Sequence, residues 1–285
     1  MLVPLLLLAC CIPVAVRASQ EVSFDMSTMP TPDTSSKPAF VEFMSKTFGQ
    51  DKKMLAWRYD RLQSLLHNKD VTGDKETRAF MLTAREEFTL DRNKPRAYEH
   101  AFLDIGYGVT ISGPHLVMRM TSALDIKPTD KVLEVGTGSG YQSAILAHLS
   151  NHVHTVEIIE PLHTRTKGVY QKLVEAGNKE YTNVSLKSGD GYYGWEEKGP
   201  FDKIIVTCAI DHIPPPLLQQ LAPNGVIVIP VGPPGKQTLL KVQKVVDADG
   251  KVSFNRQDVY NGRRTVSFVP FTKAEGGTWS GKGLR

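Results

Sequence analysis

The sequence predicts an α/β chain in which a helical N-terminal region leads into a doubly wound, mixed sheet. Three observations predict it. Beyond Pro128, short apolar runs alternate with longer amphipathic stretches, the pattern of βαβ units whose helices cover both faces of a largely parallel sheet. One run, 132–135, enters a glycine-rich turn from which a helix opens at once. Between Phe40 and Leu90, apolar residues such as Leu55, Tyr59, Leu62 and Leu66 recur at helical spacing.

From the N-terminus, residues 1–16 (MLVPLLLLACCIPVAV) form an uncharged apolar run, short and proline-interrupted for a membrane span. They fit a secretory signal peptide ending at about residue 18, with Val16-Arg17-Ala18 as a small-residue cleavage site. The run lacks Lys and Arg, and Leu7-Leu8-Ala9-Cys10 imitates a lipoprotein cleavage box too near the start. A buried N-terminal helix and a mis-assigned start codon are the other readings, with a cytoplasmic protein as the alternative to an exported one. Residues 19–39, rich in Ser, Thr, Pro and Asp, read as a disordered linker. A helical region and a loop fill 40–127. Strands are expected at 131–135, 152–158, 184–187, 203–207 and 225–231, and helices at 140–150, 161–177 and 215–221. The tail adds the β-like runs LLKVQKVV, KVSF and TVSFVPF, suited to closing the sheet with antiparallel strands. Residues 40–285 thus read as a single domain, with 128–272 its sheet and 273–285 its tail.

A net charge of +4 over 285 residues is mild and unclustered, so no nucleic-acid partner is expected. Cys10 and Cys11 would leave with the signal, and the remaining thiol, Cys208, has no internal disulfide partner. Cys208 ends an expected buried strand with no base evident beside it, so a core filler is expected rather than a nucleophile. The eight His residues show no metal-ligand spacing, and no metal is expected. His148, His152 and His154 are expected in surface or packing roles.

The chemistry is carried by Val132-Leu133-Glu134-Val135-Gly136-Thr137-Gly138-Ser139-Gly140-Tyr141. Ligands of open α/β sheets sit at the carboxyl ends of strands, where glycines let the backbone come close. A dinucleotide fingerprint spaces its glycines G-x-G-x-x-G for a pyrophosphate. Here the spacing is G-x-G-x-G, which suits the amino-acid portion of S-adenosylmethionine, a ligand without phosphate. Glu157 ends the second expected strand, where a carboxylate accepts from both ribose hydroxyls. Asp190-Gly191 comes after the third, within reach of an adenine amino group. Each acid alone reads equally as a solvated surface carboxylate; together, at the ends of successive strands, they make a cofactor site.

Other residues carry a family resemblance. Asp104-Ile105-Gly106-Tyr107-Gly108-Val109-Thr110-Ile111-Ser112-Gly113-Pro114-His115 resembles the IGYGQTIS-x-PH segment of protein-L-isoaspartate (D-aspartate) O-methyltransferases. VLEVGTGSGYQSAILAHL, SGDGYYGW, FDKIIVTCA, VIVIPVG and VSFVPFT are similar too, so the likeness runs from roughly Met54 to Thr272. The resemblance implies a class I, Rossmann-like methyltransferase that uses S-adenosylmethionine to methylate the free carboxylate of L-isoaspartyl residues in damaged proteins. The methyl ester then collapses to a succinimide whose hydrolysis returns some normal aspartate. It implies that Ser112 donates to the substrate carboxylate and that the backbone of Thr110 and Ile111 lies near the methyl donor. Glu134, Gly136, Gly138, Ser139, Gly140, Glu157, Asp190, Gly191 and Thr272 complete the implied cofactor set. The expected partners are isoaspartyl proteins and peptides, with a monomeric enzyme and no stable membrane association once the signal is removed.

The chain departs from the family pattern at three places: Asp104 stands for the usual Pro, Val109 for Gln and Cys208 for a small residue, most often Ala. Asp104 would set a negative charge near a carboxylate-binding loop, and Val109 removes a polar side chain beside it. Two further readings therefore stand: a carboxyl methyltransferase with another peptide or small-acid substrate, and a catalytically silent cofactor-binding module. Thr207-Cys208-Ala209 occupies the place where amine methyltransferases carry an Asn-Pro-Pro-Tyr type motif, which disfavours an amine acceptor. Export conflicts with a cofactor made in the cytoplasm.

Overall fold

The structure, a computed structural model, describes residues 24–233 and 235–273. The signal-like residues 1–18, the first residues of the expected linker and the tail beyond Lys273 lie outside the described residues.

Helices α1 (Lys37–Phe48), α2 (Lys52–His67) and α3 (Asp74–Leu82) form the N-terminal region. Ser36 caps α1 by accepting from the Ala39 N–H, Pro38 sits in its first turn, and Gly49 at φ +66° ends it. Asp51 caps α2 in the same way, through the Met54 N–H at 2.9 Å. The described part of the expected linker is docked rather than loose. Phe24 exchanges hydrogen bonds with the Asn183 side chain at 2.8 and 3.1 Å, Arg78 donates to Met29 O at 2.8 Å, and Met26 is buried. Composition misleads there because the segment has little apolar surface of its own; side chains distant in sequence hold it.

A hairpin of β1 (Leu103–Gly106) and β2 (Val109–Ile111) turns through Tyr107 at φ +57°, and α4 (Pro114–Leu124) comes directly after it. Then come β3 (Lys131–Val135), α5 (Tyr141–Ala147), β4 (His152–Glu157), α6 (Glu160–Glu175), β5 (Val184–Ser188), β6 (Phe201–Val206), α7 (Pro215–Gln219), β7 (Leu221–Val231), β8 (Thr238–Val246) and β9 (Val252–Asp258). Among the described residues seven strands make one sheet in the order β5-β4-β3-β6-β7-β8-β9. Strands β3 to β7 pair in parallel, and β8 and β9 add antiparallel edges. Each expected strand from 131 to 231 is present, and LLKVQKVV and KVSF supply the antiparallel pair.

TVSFVPF forms no strand. Among the described residues its backbone forms no ladder, only isolated bridges of Gln237 with Val266 and Ala209 with Pro270. Pro270 has no N–H to offer a ladder, so the segment lies as an irregular strap, held by Ala209 N–H to Val269 O (2.8 Å) and Phe271 N–H to Ala209 O (2.9 Å). One buried cluster joins Phe40, Leu55 and Phe80 of the helical region to Met118, Tyr141 and Leu162. The opposite face of the sheet packs Leu133, Val206 and Ile227 with Phe271 of the strap.

Candidate cofactor and substrate site

The chain leaves β3 toward β4 on one side and returns in β6 on the other, so the carboxyl ends of β3 and β6 flank the point where strand order reverses. Ligand crevices of open sheets lie at such points. The turn after β3 is held open there by its neighbours. Gly136 has φ +96°, and a Cβ on it would come within 2.5 Å of Thr207 Oγ1. Thr207 in turn donates to Gly136 O at 2.6 Å. Gly138 gives its N–H to Glu157 Oε2 at 2.8 Å, and its carbonyl accepts from Thr166 Oγ1 at 2.7 Å.

Above this turn lies a cavity open to solvent. Gly136, Gly138 and Glu157 form its floor and one side, Thr110 and Val109 of the hairpin another, and Pro270, Phe271 and Thr272 of the strap the far wall. Gly191 lines it too, and a Cβ there would come within 2.5 Å of Val135 Cγ1, so only glycine lets β5 and β3 deliver their loops so closely. A second cavity adjoins the first and shares Thr110, Gly136, Gly138 and Thr207 with it. Ile111, Ser112, Glu134, Ser139 and Tyr141 line that one.

The two acids are not equivalent. Glu157 is 5 % exposed, and burial raises its pKa while the N–H groups of Ile159 and Gly138 oppose the rise. Oε2 accepts from the Gly138 N–H at 2.8 Å and Oε1 from the Ile159 N–H at 2.9 Å, and the Ile158 N–H also acts on the carboxylate. Glu134 is wholly buried; burial pushes its pKa up to about 8 against hydrogen bonds from Ser143 and Thr155. Both of those donors serve Oε2, and Oε1 has no partner. A buried acceptor without a donor beside a cavity fits a ligand that brings a donor or a positive charge.

Ten of the residues singled out in the sequence, namely Thr110, Ile111, Ser112, Glu134, Gly136, Gly138, Ser139, Glu157, Gly191 and Thr272, line one cavity or the other. Gly140 and Asp190 do not. Gly140, at φ +90°, starts α5 and packs against α6: a Cβ would meet Thr166 Cγ2 at 2.8 Å, and its carbonyl accepts from Tyr170 at 2.6 Å. Asp190 shapes the turn that presents Gly191, accepting from the Tyr192 N–H at 2.9 Å. Thr207 and Phe271 are wall residues that sequence reasoning misses. A hydroxyl immediately after a buried strand is the available signal for Thr207; nothing in VSFVPFT distinguishes Phe271.

The departures also find their places. Asp104 is ion-paired to Arg92 and accepts from the Gly106 N–H at 2.9 Å, so its charge is spent stabilising the hairpin and does not face the cavities. Val109 and Cys208 line the first cavity, and burial raises the Cys208 pKa well above its ordinary value, leaving a neutral thiol.

This glycine turn at the switch point of a β5-β4-β3-β6-β7 parallel core, with an acid closing the next strand, defines a class I, Rossmann-like methyltransferase domain. A profile of the protein-L-isoaspartate(D-aspartate) O-methyltransferase (PCMT) family matches residues 58–276. The chain belongs to that family. It is 49 % identical over 189 residues to protein-L-isoaspartate O-methyltransferase 2 of Polaromonas sp. strain JS666, covering 66 % of this chain and 83 % of that one. To the enzyme of Serratia proteamaculans it is 40 % identical over 222 residues, 78 % of this chain and 99 % of that one. A Plasmodium falciparum structure of a protein-L-isoaspartate O-methyltransferase, in complex with S-adenosyl-L-homocysteine, shares the fold at TM-score 0.61 and 22 % identity. That match covers 75 % of this chain and 97 % of that one. No helix among the described residues is long and apolar enough to cross a membrane.

Proposed function

We propose that this protein transfers a methyl group from S-adenosylmethionine to the free α-carboxylate of L-isoaspartyl, and also D-aspartyl, residues in damaged proteins and peptides. The observation that carries the reading is the pair of adjoining cavities meeting at Thr110, Gly136 and Gly138. One is floored by the glycine turn and Glu157; the other opens at Ser112. A cofactor and an acceptor lodged in them would meet at the shared wall.

Glu157 would hold the ribose hydroxyls, Gly191 the adenine edge, and the turn at Gly136 to Ser139 with Glu134 the amino-acid portion. When bound, the cofactor supplies a methyl group on a sulfonium that leaves readily. The acceptor carboxylate is ionised at neutral pH, so the protein needs no general base. Its task is alignment and water exclusion. Ser112 orients the carboxylate by donating to it, the Thr110 and Ile111 backbone sets the distance, and Ile105, Val109 and Phe271 keep water from the junction.

The reading of residues 40–285 as a single domain draws on the core shared by the N-terminal helices and the sheet. Export would rest on residues 1–18 alone and would require a supply of cofactor outside the cytoplasm. We take the working unit to be a monomer.

The test is methyl transfer from labelled S-adenosylmethionine to matched peptides with L-isoaspartate or normal aspartate at one position. Labelling of the isoaspartyl peptide alone is expected. Cofactor binding with neither peptide labelled would sink the assignment and turn the search to another carboxylate.

A further inference from the structure

Arg85 is a fully buried guanidinium one layer behind the substrate end of the second cavity. Its Nε donates to Ala97 O at 2.6 Å and its Nη2 to Ser112 O at 2.8 Å. The guanidinium carbon lies 4.7 Å from the centre of the Tyr141 ring, and Ser112 and Tyr141 both line that cavity. Nη1 is buried and makes no well-formed hydrogen bond, with the neutral Tyr141 hydroxyl close to the guanidinium. Among the described residues no carboxylate comes within 4.0 Å of its nitrogens.

Arg58 shows what an ordinary buried arginine does in this fold. Equally hidden, it pairs with Glu86 at 3.2 Å and places its remaining N–H groups on Tyr98, Gln50 and Met81 O. Burying a charge without a counter-charge is costly, and carbonyl dipoles and a ring face offset only part of that cost. Burial lowers the Arg85 pKa only to about 10, so the group stays cationic at neutral pH. The charges acting on His115, three residues after Ser112, have the same sign. His115 stacks on His100 at 3.7 Å, and burial first, then His100 and the positive charges of Arg61, Arg264 and Arg85, lower its pKa to about 4.

We propose that Arg85 is a positioning residue of the substrate site: it fixes the Ser112 loop through the carbonyl and supplies the uncompensated positive charge that draws in the acceptor α-carboxylate. The idea rests on the methyl-transfer reading above. It deepens that reading by making a cation behind the wall, together with the Ser112 hydroxyl, the basis for choosing a carboxylate over a neutral group of the same shape. Arriving in the second cavity, the carboxylate becomes the counter-charge that the folded protein lacks.

The experiment compares an isoaspartyl peptide with its α-carboxamide analogue, binding each to protein saturated with S-adenosylhomocysteine. Wild type, Arg85→Lys and Arg85→Gln are measured; Lys keeps the charge, and Gln keeps a donor for Ser112 O without it. Wild type should prefer the carboxylate by about tenfold or more, the scale of a charge-assisted contact. Arg85→Lys should retain most of that preference and Arg85→Gln lose it, with S-adenosylhomocysteine affinity unchanged in both. Undiminished preference in Arg85→Gln would overturn the proposal, since a purely structural role would weaken both peptides alike. Should Arg85→Gln fail to fold, the wild type still decides. With a ¹³C-labelled α-carboxylate, the NMR titration midpoint of the bound peptide should fall below its free value, and an unmoved midpoint would overturn the idea. A wild-type enzyme that methylates no isoaspartyl peptide removes the functional reading itself, and Arg85 with it. One that methylates normally while Arg85→Gln keeps its preference removes Arg85 alone.

Discussion

Ser112 commits its carbonyl to Arg85 and lines the second cavity, and among the described residues no hydrogen bond engages its hydroxyl. Ser112→Ala therefore removes one donor to a charged acceptor and little else. We expect kcat/KM for an isoaspartyl peptide to fall by about ten- to a hundredfold, with cofactor affinity held, read by steady-state kinetics and calorimetry. Cys208→Ala should leave the rate unchanged within about twofold, because a thiol whose pKa is raised by burial supplies no nucleophile. Glu134 makes a pH prediction. Its folded pKa of about 8 stands above the ordinary 4.5, so between those values the folded state carries a proton that the unfolded state has released. Its contribution to stability is intact below about pH 4.5 and declines as pH rises through about 8. Glu134→Gln, neutral throughout, should gain stability relative to wild type over that window and level off above it; parallel urea titrations from pH 5 to 9 check this. At this scale the sequence was informative about residue types and blind to partners. Asp104 read as a misplaced charge because Arg92, twelve positions away, is not marked as its partner by any pattern.

At the level of elements, two glycines of one turn separate function from folding. An alanine Cβ at Gly138 would make ordinary contacts with Ile105 Cδ1 at 3.6 Å and Gly136 O at 3.9 Å, at a left-handed φ of +56°. Gly138→Ala should cost about 1–2 kcal/mol of stability yet obstruct the junction of the two cavities and weaken cofactor binding severely. Gly140→Ala adds clashes with Thr166 and Tyr170 to a strained φ and should cost about 2–4 kcal/mol. Its effect on cofactor affinity in the protein that still folds should be smaller. Denaturation and binding measured on both variants check the crossing, and equal effects on both properties would refute it. The strands of the parallel core were legible because each is a short segment built around Val, Ile or Leu and bounded by turn residues. The β1–β2 hairpin was read only as a segment, since its strands are four and three residues long. The strap at 265–271 imitated a strand because alternation is visible in sequence, whereas the missing partner ladder is not.

For the whole molecule, the site is assembled from the hairpin, the β3 turn, the loops after β4, β5 and β6, and the strap, so a ligand in it ties these together. S-adenosylhomocysteine at about a hundred times its Kd should add about 2.7 kcal/mol and raise Tm by about 5–10 °C. Glu157→Ala should abolish most of that shift while leaving the unliganded Tm within a few degrees. A shift preserved in Glu157→Ala would remove that carboxylate from the cofactor site. The same assembly explains why the N-terminal helices share the sheet's core: Arg58 and Arg85, packed among them, anchor Tyr98, Ala97 and Ser112, the chain that leads into and out of the hairpin.

The sequence by itself determined those features that depend on local order. Apolar periodicity set the strands and helices, the glycine spacing set the turn at the end of β3, and the succession of acids after strands placed Glu157 at the cavity, because a parallel sheet delivers the ends of its strands to one edge. Only the tertiary structure decided which glycines touch space and which touch α6, that Asp104 is neutralised by Arg92, that Phe271 lines the first cavity, and that Arg85 is buried without a carboxylate beside it. Those facts depend on contacts between residues far apart in the chain. Their strength is set by burial and by the dielectric that burial creates, and neither is a property of any segment alone.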